Sequence, residues 1–433
     1  MMRGKCEGLM KGVVMQRELW TMEEWIYSSA RREYNPLPIN FGMAVECTQP
    51  FSEQELRRAL DGIPEFLPLS RARVVLRAPQ RALVTTEGVK TIPLFFKQVA
   101  NCWEEMAREV ASPFDDPYAP LVRLFAYDTP EGFFLFVHFD HALVDGIGAV
   151  VWLRSLFALL QGKIPPPPPS WDWKEFFASH YNPQWEKTYE ASQQGFFERF
   201  SNWVQGFSEP LWPERLSYSL FVETLSPSET RALLEAARAH RTSVHSAIAV
   251  AFLQAFFELG INHRHPVRTV LSPVNLRKRY HVPEDFYGLL NGTLRTSVDF
   301  SQSRDFWQRC VLFKRELQLQ WEITDFLYYH YRAERDLEKA LQRGFKKRRR
   351  FDTRGDYDLS LTNVGVLDHP LFHPFVKRIY GPIAQGLPSE TVLGVSTYNN
   401  ELTFSLVSKP FFLPDDMAKR LVIVAKELLL SHC

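Results

Sequence analysis

The seven residues Asp140-His141-Ala142-Leu143-Val144-Asp145-Gly146 set an imidazole and a carboxylate four positions apart, in a polar interruption of an apolar stretch. An imidazole has its ordinary pKa close to neutral pH, so a histidine held in one orientation suits general-base work. The pattern also has a plain structural reading: a satisfied histidine beside an aspartate that caps a helix. The surroundings bear on the choice.

Upstream, Phe133-Phe134-Leu135-Phe136-Val137 is an unbroken apolar run, too short for a comfortable helix and rich in β-formers. It reads as a strand covered on both faces. Downstream, Ile147, Val150, Val151, Leu153, Leu156, Phe157 and Leu160 recur at helical spacing, with Gly162 placed to stop the helix and Pro165 beyond. His141 is therefore expected at a strand end leading into a helix, where α/β proteins assemble their sites.

Other chemistries find less support. His138, Asp140 and His141 could be metal ligands, but residues 138 and 141 of a strand point to opposite faces and no third ligand follows at metal-site spacing. Gly146-Ile147-Gly148 has no phosphate-loop continuation, and no G-x-S-x-G serine elbow is found. The chain of 433 residues carries 51 Lys+Arg against 50 Asp+Glu, so it has no overall basic field to draw in nucleic acid. Cys6, Cys47, Cys102, Cys310 and Cys433 lie far apart with no C-x-x-C spacing, which argues against a disulfide framework or zinc ribbon and fits a reducing cytoplasm. No signal-peptide core or bilayer-spanning run is seen, so the expectation is a cytoplasmic, soluble protein.

An α/β protein of two halves is expected. In the first, strands at Phe41–Cys47, Arg71–Leu76, Ala82–Thr86 and Pro120–Tyr127 alternate with a helix opened by the Ser52/Glu55 capping box and another over Cys102–Val110. The proline run Ile164–Ser170 is a stiff spacer, and the aromatic stretch 171–212 connects the halves. The second half, 213–433, restarts with a strand at Tyr218–Leu225 and a helix at Ser226-Pro227-Ser228-Glu229, then a long apolar helix to Leu259. Strands at Val267–Leu271 and Asp358–Val364 end in polar residues, Asn399-Asn400 turns a hairpin, and Pro414–Leu430 is a closing helix.

Together these residues resemble the chloramphenicol acetyltransferase-like superfamily, which includes condensation domains, polyketide-associated and alcohol acyltransferases, wax-ester synthases and plant BAHD enzymes. The H-H-x-x-x-D-G signature is matched in the variant form Asp140-His141-x-x-x-Asp145-Gly146. Pro113-Phe114-Asp115 with Pro120-Leu121-Val122-Arg123, Thr242–Ala247, Pro273–Arg277 and Leu361–Gly365 follow in the family's order, so the resemblance covers nearly the whole chain. Two departures stand out: Asp140 replaces the first histidine, and the plant-type D-F-G-W-G is absent.

The resemblance implies two subdomains of related topology, each a mixed sheet with helices, around an active-site tunnel: residues 1–170 carrying the motif and 213–433 behind the connecting segment. It implies an acyltransferase that moves an acyl group from a coenzyme A or acyl-carrier-protein thioester to an alcohol, with His141 as general base and no permanent cofactor or metal. The alternatives are a freestanding amide-forming condensation enzyme and a non-catalytic docking module of the same fold. In the family Asp145 fixes the turn by pairing with an arginine, for which Arg277 is the first candidate and Arg71 and Arg73 the next. Gly146 makes the turn into the helix. Thr362 and Asn363 suit either an oxyanion-stabilising role or backbone architecture. Lys346, Lys347, Arg348, Arg349 and Arg350 form a basic run that is either a solvated loop or a dock for donor phosphates or an acidic carrier protein.

Overall fold

Largely buried central strands build two mixed sheets, and the computed structural model describes residues 14–31, 39–77, 80–169, 171–191, 217–261, 265–343, 357–386 and 390–433. The first sheet runs in the order β12 (Val376–Ala384), β2 (Asn40–Cys47), β7 (Gly132–Asp140), β6 (Val122–Thr129), β5 (Leu94–Gln98). Only the β5/β6 pair is parallel there. The second sheet runs β10 (Asn291–Asp299), β9 (Val267–Asn275), β11 (Leu359–Val366), β13 (Val392–Tyr398), β14 (Glu401–Ser408), β8 (Ser219–Leu225), with β11 parallel to both neighbours. A small sheet of β1 (Gln16–Glu18), β4 (Gln80–Thr85) and β3 (Arg73–Arg77) lies beside the first.

Strand β7 is buried along its length because its two faces meet two different cores. Phe133, Leu135, Val137 and Phe139 pack on the helices Glu53–Phe66 and Gly146–Leu160 through Leu56, Ile63, Val150 and Phe157. Phe134 and Phe136 face Met106 of the helix Cys102–Val110 and Tyr127 of β6. In the second half the helices Val244–Glu258 and Asp415–Ser431 cover Val270, Leu361, Val395 and Phe404. The connecting segment is itself core-forming where it is described: Trp173, Trp185 and Tyr189 pack with Trp20, Phe286 and Phe326.

The division of the chain at 213 is crossed by a late strand. Strand β12 lies late in the sequence yet pairs antiparallel with β2 of the first sheet, from Val376 opposite Cys47 to Ala384 opposite Phe41. It also lies on the second sheet, where Ser396 Oγ and Thr403 Oγ1 each donate to the Ile379 carbonyl at 3.0 Å. Gly394 permits this approach, since a Cβ there would run into the Pro382 carbonyl. The halves are thus held by a shared strand as well as by side chains.

Buried imidazoles make the fold sensitive to acid. His138, fully buried on β7, has its ring 4.9 Å from that of Phe114 and 6.0 Å from that of Phe136, opposite Arg123 in register. Burial first, and the Arg123 charge second, hold its pKa well below the ordinary value of 6.5. Burial also pushes His245 and His330 down to about 4. Each of these groups takes a proton more readily when unfolded, so its contribution is present above the unfolded pKa and is lost as pH falls from 6.5 through the folded value. The thermal midpoint is expected to drop between pH 6.5 and about 4. His138→Phe should flatten that decline, and an equally steep acid limb in the variant would count against the assignment.

Candidate active site

Strand β7 ends in a turn built by Asp140. Its backbone N–H donates to Leu121 O at 3.0 Å, and its Oδ1 accepts the Ala142 N–H at 2.9 Å, an aspartate turn that bends the chain out of the sheet. Asp140 thus serves the local backbone geometry of the turn. Asp140→Asn retains the accepting oxygen, so it should keep wild-type stability and turnover, whereas Asp140→Ala should cost about 1 kcal/mol. Thermal melts and initial rates on both variants check this; equal behaviour of the two would exclude the turn as the reason for Asp140.

His141 follows, half-buried, with its backbone N–H donating to Ile39 O at 3.0 Å and its ring 4.9 Å from that of Phe41. Its Nδ1 lies 2.9 Å from the Val144 carbonyl. A carbonyl oxygen only accepts, so in the neutral ring Nδ1 carries the hydrogen and Nε2 keeps the lone pair. Among the described residues nothing hydrogen-bonds Nε2. The ring is therefore fixed by backbone at one nitrogen and left able to accept a proton at the other.

Asp145 serves a different purpose. It caps the helix Gly146–Leu160, its Oδ1 accepting the Gly148 N–H at 2.8 Å. Arg277 Nη1 and Nη2 grip the two carboxylate oxygens at 2.7 and 3.0 Å, and the Leu290 N–H donates to Oδ2 at 2.8 Å. Fully buried Arg277 also donates to the Phe286 and Gly288 carbonyls, at 3.0 Å each from Nη2, and to Asn275 Oδ1 at 3.3 Å from Nη1. None of the Asp145 carboxylate's hydrogen bonds goes to His141. A bidentate ion pair with every oxygen satisfied is the arrangement a buried charge requires, and it ties the motif loop of the first half to the 276–290 loop of the second.

Gly146 brings the start of the motif helix against the second half. A Cβ at this position would meet Val364 Cγ1 at 2.9 Å and Pro382 Cγ at 3.4 Å, on β11 and β12. Asn363 stands next to Val364, but its Oδ1 accepts the Gly365 N–H at 2.8 Å, where the backbone turns through φ +80° at Gly365. Its carboxamide is used on that irregularity of β11, and the structure gives it no contact with His141. Arg71 and Arg73 are also elsewhere, donating to the Val89 and Glu87 carbonyls at 2.9 Å each. His245 is 3.0 Å from Ser272 Oγ in the second half. Lys346, Lys347, Arg348, Arg349 and Arg350 lie outside the described residues. Among the described residues no group of three or more His, Cys, Asp and Glu side chains could hold a metal ion, and no helix is long and apolar enough to cross a membrane.

Three participants escaped the sequence reading: Phe41 beneath the imidazole, the Val144 carbonyl, and the Leu290 N–H. Two are backbone groups with no side-chain signature, and Phe41 is one of many core phenylalanines until the sheet pairs β2 with β7.

Comparison with known proteins agrees with this architecture. The family model for the C-terminus of phthiocerol/phthiodiolone dimycocerosyl transferase matches residues 223–303, from β8 to just past β10. No curated protein matches the chain by sequence. Trichothecene 15-O-acetyltransferase from Fusarium sporotrichioides superposes with a TM-score of 0.68 at 14% identity, over 97% of this chain and 95% of that one. The first condensation domain of the calcium-dependent antibiotic synthetase gives 0.68 at 15% identity over 96% of each chain. Polyketide synthase associated protein 5 from Mycobacterium tuberculosis gives 0.59 at 16% identity, over 96% of this chain and 97% of that one. The chain has the fold of the chloramphenicol acetyltransferase-like superfamily of condensation and acyltransferase proteins.

Proposed function

We propose that the protein is an acyltransferase that transfers an acyl group from a thioester, of coenzyme A or of a carrier protein, to the hydroxyl of a small-molecule acceptor. The observation that carries this reading is the fixed tautomer of His141, with Nδ1–H on the Val144 carbonyl and Nε2 able to accept. In the reaction the acceptor oxygen attacks the thioester carbonyl while Nε2 takes the hydroxyl proton. The tetrahedral intermediate then collapses, the C–S bond breaks, and the imidazolium returns the proton to the departing thiolate. Ester and free thiol leave, and no acyl-enzyme forms.

Asp145, Gly146 and Arg277 act through position in this scheme, holding the loop that aims the ring. Relatives of the same fold include both an O-acetyltransferase and condensation domains, so the acceptor is tested as both alcohol and amine. The assay is release of free thiol from a panel of acyl thioesters, with coenzyme A and phosphopantetheinyl-carrier donors and alcohol or amine acceptors. Acceptor-dependent thiol release supports transfer; background release with every combination sinks it. The basic run Lys346–Arg350 has the charge to suit the phosphates of either donor.

A further inference from the structure

The start of β2 touches the motif loop at three successive residues. The Ile39 carbonyl accepts the His141 N–H at 3.0 Å, Asn40 stands opposite Asp140 in register, and the Phe41 ring lies 4.9 Å from the imidazole. The placement of this strand end therefore bears directly on the placement of His141.

Asn40 ties that strand end to two other segments. Its side chain is fully buried, and Nδ2 donates to the Ser112 carbonyl at 2.9 Å. Ser112 finishes the helix Cys102–Val110, with its N–H donating to Glu109 O at 2.9 Å and its Oγ to Arg108 O at 3.1 Å. The Asn40 carbonyl accepts the Gln385 N–H at 3.2 Å, just past the end of β12. One residue thus joins a helix of the first half, the strand beside His141 and the strand that arrives from the second half.

Stability does not account for an amide at this place. Asparagine is disfavoured in strands, and Asn40 Oδ1 is buried with no hydrogen-bond partner among the described residues. An unsatisfied buried oxygen lowers stability. Turning the amide around gives no relief, since Oδ1 would then face the Ser112 carbonyl, acceptor against acceptor. An apolar side chain of the same outline would fill the space without that penalty, and what it would lose is the link to Ser112.

We propose that Asn40 is a positioning residue for the acyl transfer: by tying the start of β2 to Ser112, it sets where the Ile39 carbonyl and the Phe41 ring hold the His141 imidazole. The proposal rests on the reading of His141 as the general base. Asn40 takes no proton itself and acts through its two neighbours in the chain. Proton transfer is sensitive to such placement, because a shift of about 1 Å in a reacting group can lower the rate about 10²-fold.

Asn40→Leu keeps the branched outline of the side chain and removes only its polar atoms, so it should melt close to wild type; Asn40→Ala takes its place if the leucine variant does not fold. Either should lower kcat for thiol release about 10- to 100-fold and leave donor KM within about twofold. Placed on His141→Ala, the same substitution should change the residual rate by less than about twofold, because no base remains to be placed. An equal loss in both backgrounds marks a general structural defect and overturns the proposal, as does a wild-type kcat in the single variant. A second readout is independent of turnover: nitrogen NMR with isotopically labelled histidine, the His141 signals being those that vanish in His141→Ala. The wild type should show one tautomer, with hydrogen on Nδ1 and a bare Nε2, and Asn40→Leu should show both tautomers. Unchanged His141 signals overturn the proposal. If the wild type releases no thiol with any donor, the acyl-transfer reading fails, and the spectrum by itself still decides whether Asn40 places the ring.

Discussion

His141→Ala is expected to lower acceptor-dependent thiol release by about 10² to 10⁴-fold, the range a positioned general base contributes. The prediction follows from the ring's environment. With Nδ1 donating to Val144 O at 2.9 Å, the imidazole is held in the tautomer that accepts at Nε2, and alanine removes the acceptor while leaving the loop's backbone in place. The same substitution removes one hydrogen bond from a half-buried side chain, which costs about 1 kcal/mol of stability. The variant should therefore fold, bind donor, and fail in turnover, a drop in kcat larger than any change in KM. Single-turnover measurements with the best thioester of the panel separate these effects. If the alanine variant turns over at the wild-type rate, His141 is not the base and the proposed mechanism fails.

Asp145→Ala is expected to destabilise the protein by about 3–5 kcal/mol, because it leaves the Arg277 guanidinium buried without a counter-charge. Loss of the helix cap adds about 1 kcal/mol, although the two effects share one carboxylate and will not simply sum. A deficit of this size is a large part of the stability of an ordinary domain, so the variant should accumulate poorly and melt many degrees lower. The discriminating measurement is the double variant Asp145→Ala with Arg277→Met. Removing both charges removes the orphan, so the pair should be less destabilised than the two single variants predict together. Urea denaturation of all three proteins gives the coupling. A single Asp145→Ala variant within about 1 kcal/mol of wild type would show that the ion pair is not what holds the motif loop to the second half.

These two predictions concern residues four apart with separate tasks. Among the described residues His141 is hydrogen-bonded by backbone groups, with the Phe41 ring beside it, and the hydrogen bonds of Asp145 go elsewhere. Both tasks depend on the same loop, whose ends are set by the aspartate turn at Asp140 and the cap at Asp145. A short rigid loop between a buried strand and a buried helix is a sound way to hold one ring in place, since both flanking elements resist displacement.

Much of the local structure around this loop was legible beforehand. The helix Cys102–Val110, the capping box at Ser52, the helix opened at Ser226 with Pro227 at its first position, and the hairpin turn at Asn399 and Asn400, with φ of +50° and +60°, lie where composition and turn chemistry put them. Strong periodicity and specific cap residues report on contacts made within a few positions of themselves. The edge strands β5 and β10 and the helix Phe306–Ile323 were harder. An edge strand lacks one flanking neighbour and so carries mixed polarity, and a helix apolar on two sides has little directional pattern to read.

The covalent order of residues sets a histidine and an aspartate at a strand-to-helix junction, and propensity and patterning carry that information without tertiary contacts. Which nitrogen of His141 is free, which way Asp145 faces, and where β12 goes are decided only when distant segments meet. Val144 O, the Leu290 N–H and the Gly394 backbone leave no mark in the side-chain pattern, because their contribution is a main-chain group or the absence of a side chain. Strand β12 is not among the strands expected from the sequence, and its choice of sheet depends on pairing with β2 and on hydroxyls of β13 and β14 reaching Ile379. Such long-range pairings are favourable only once both sheets exist, so local sequence cannot encode them one element at a time.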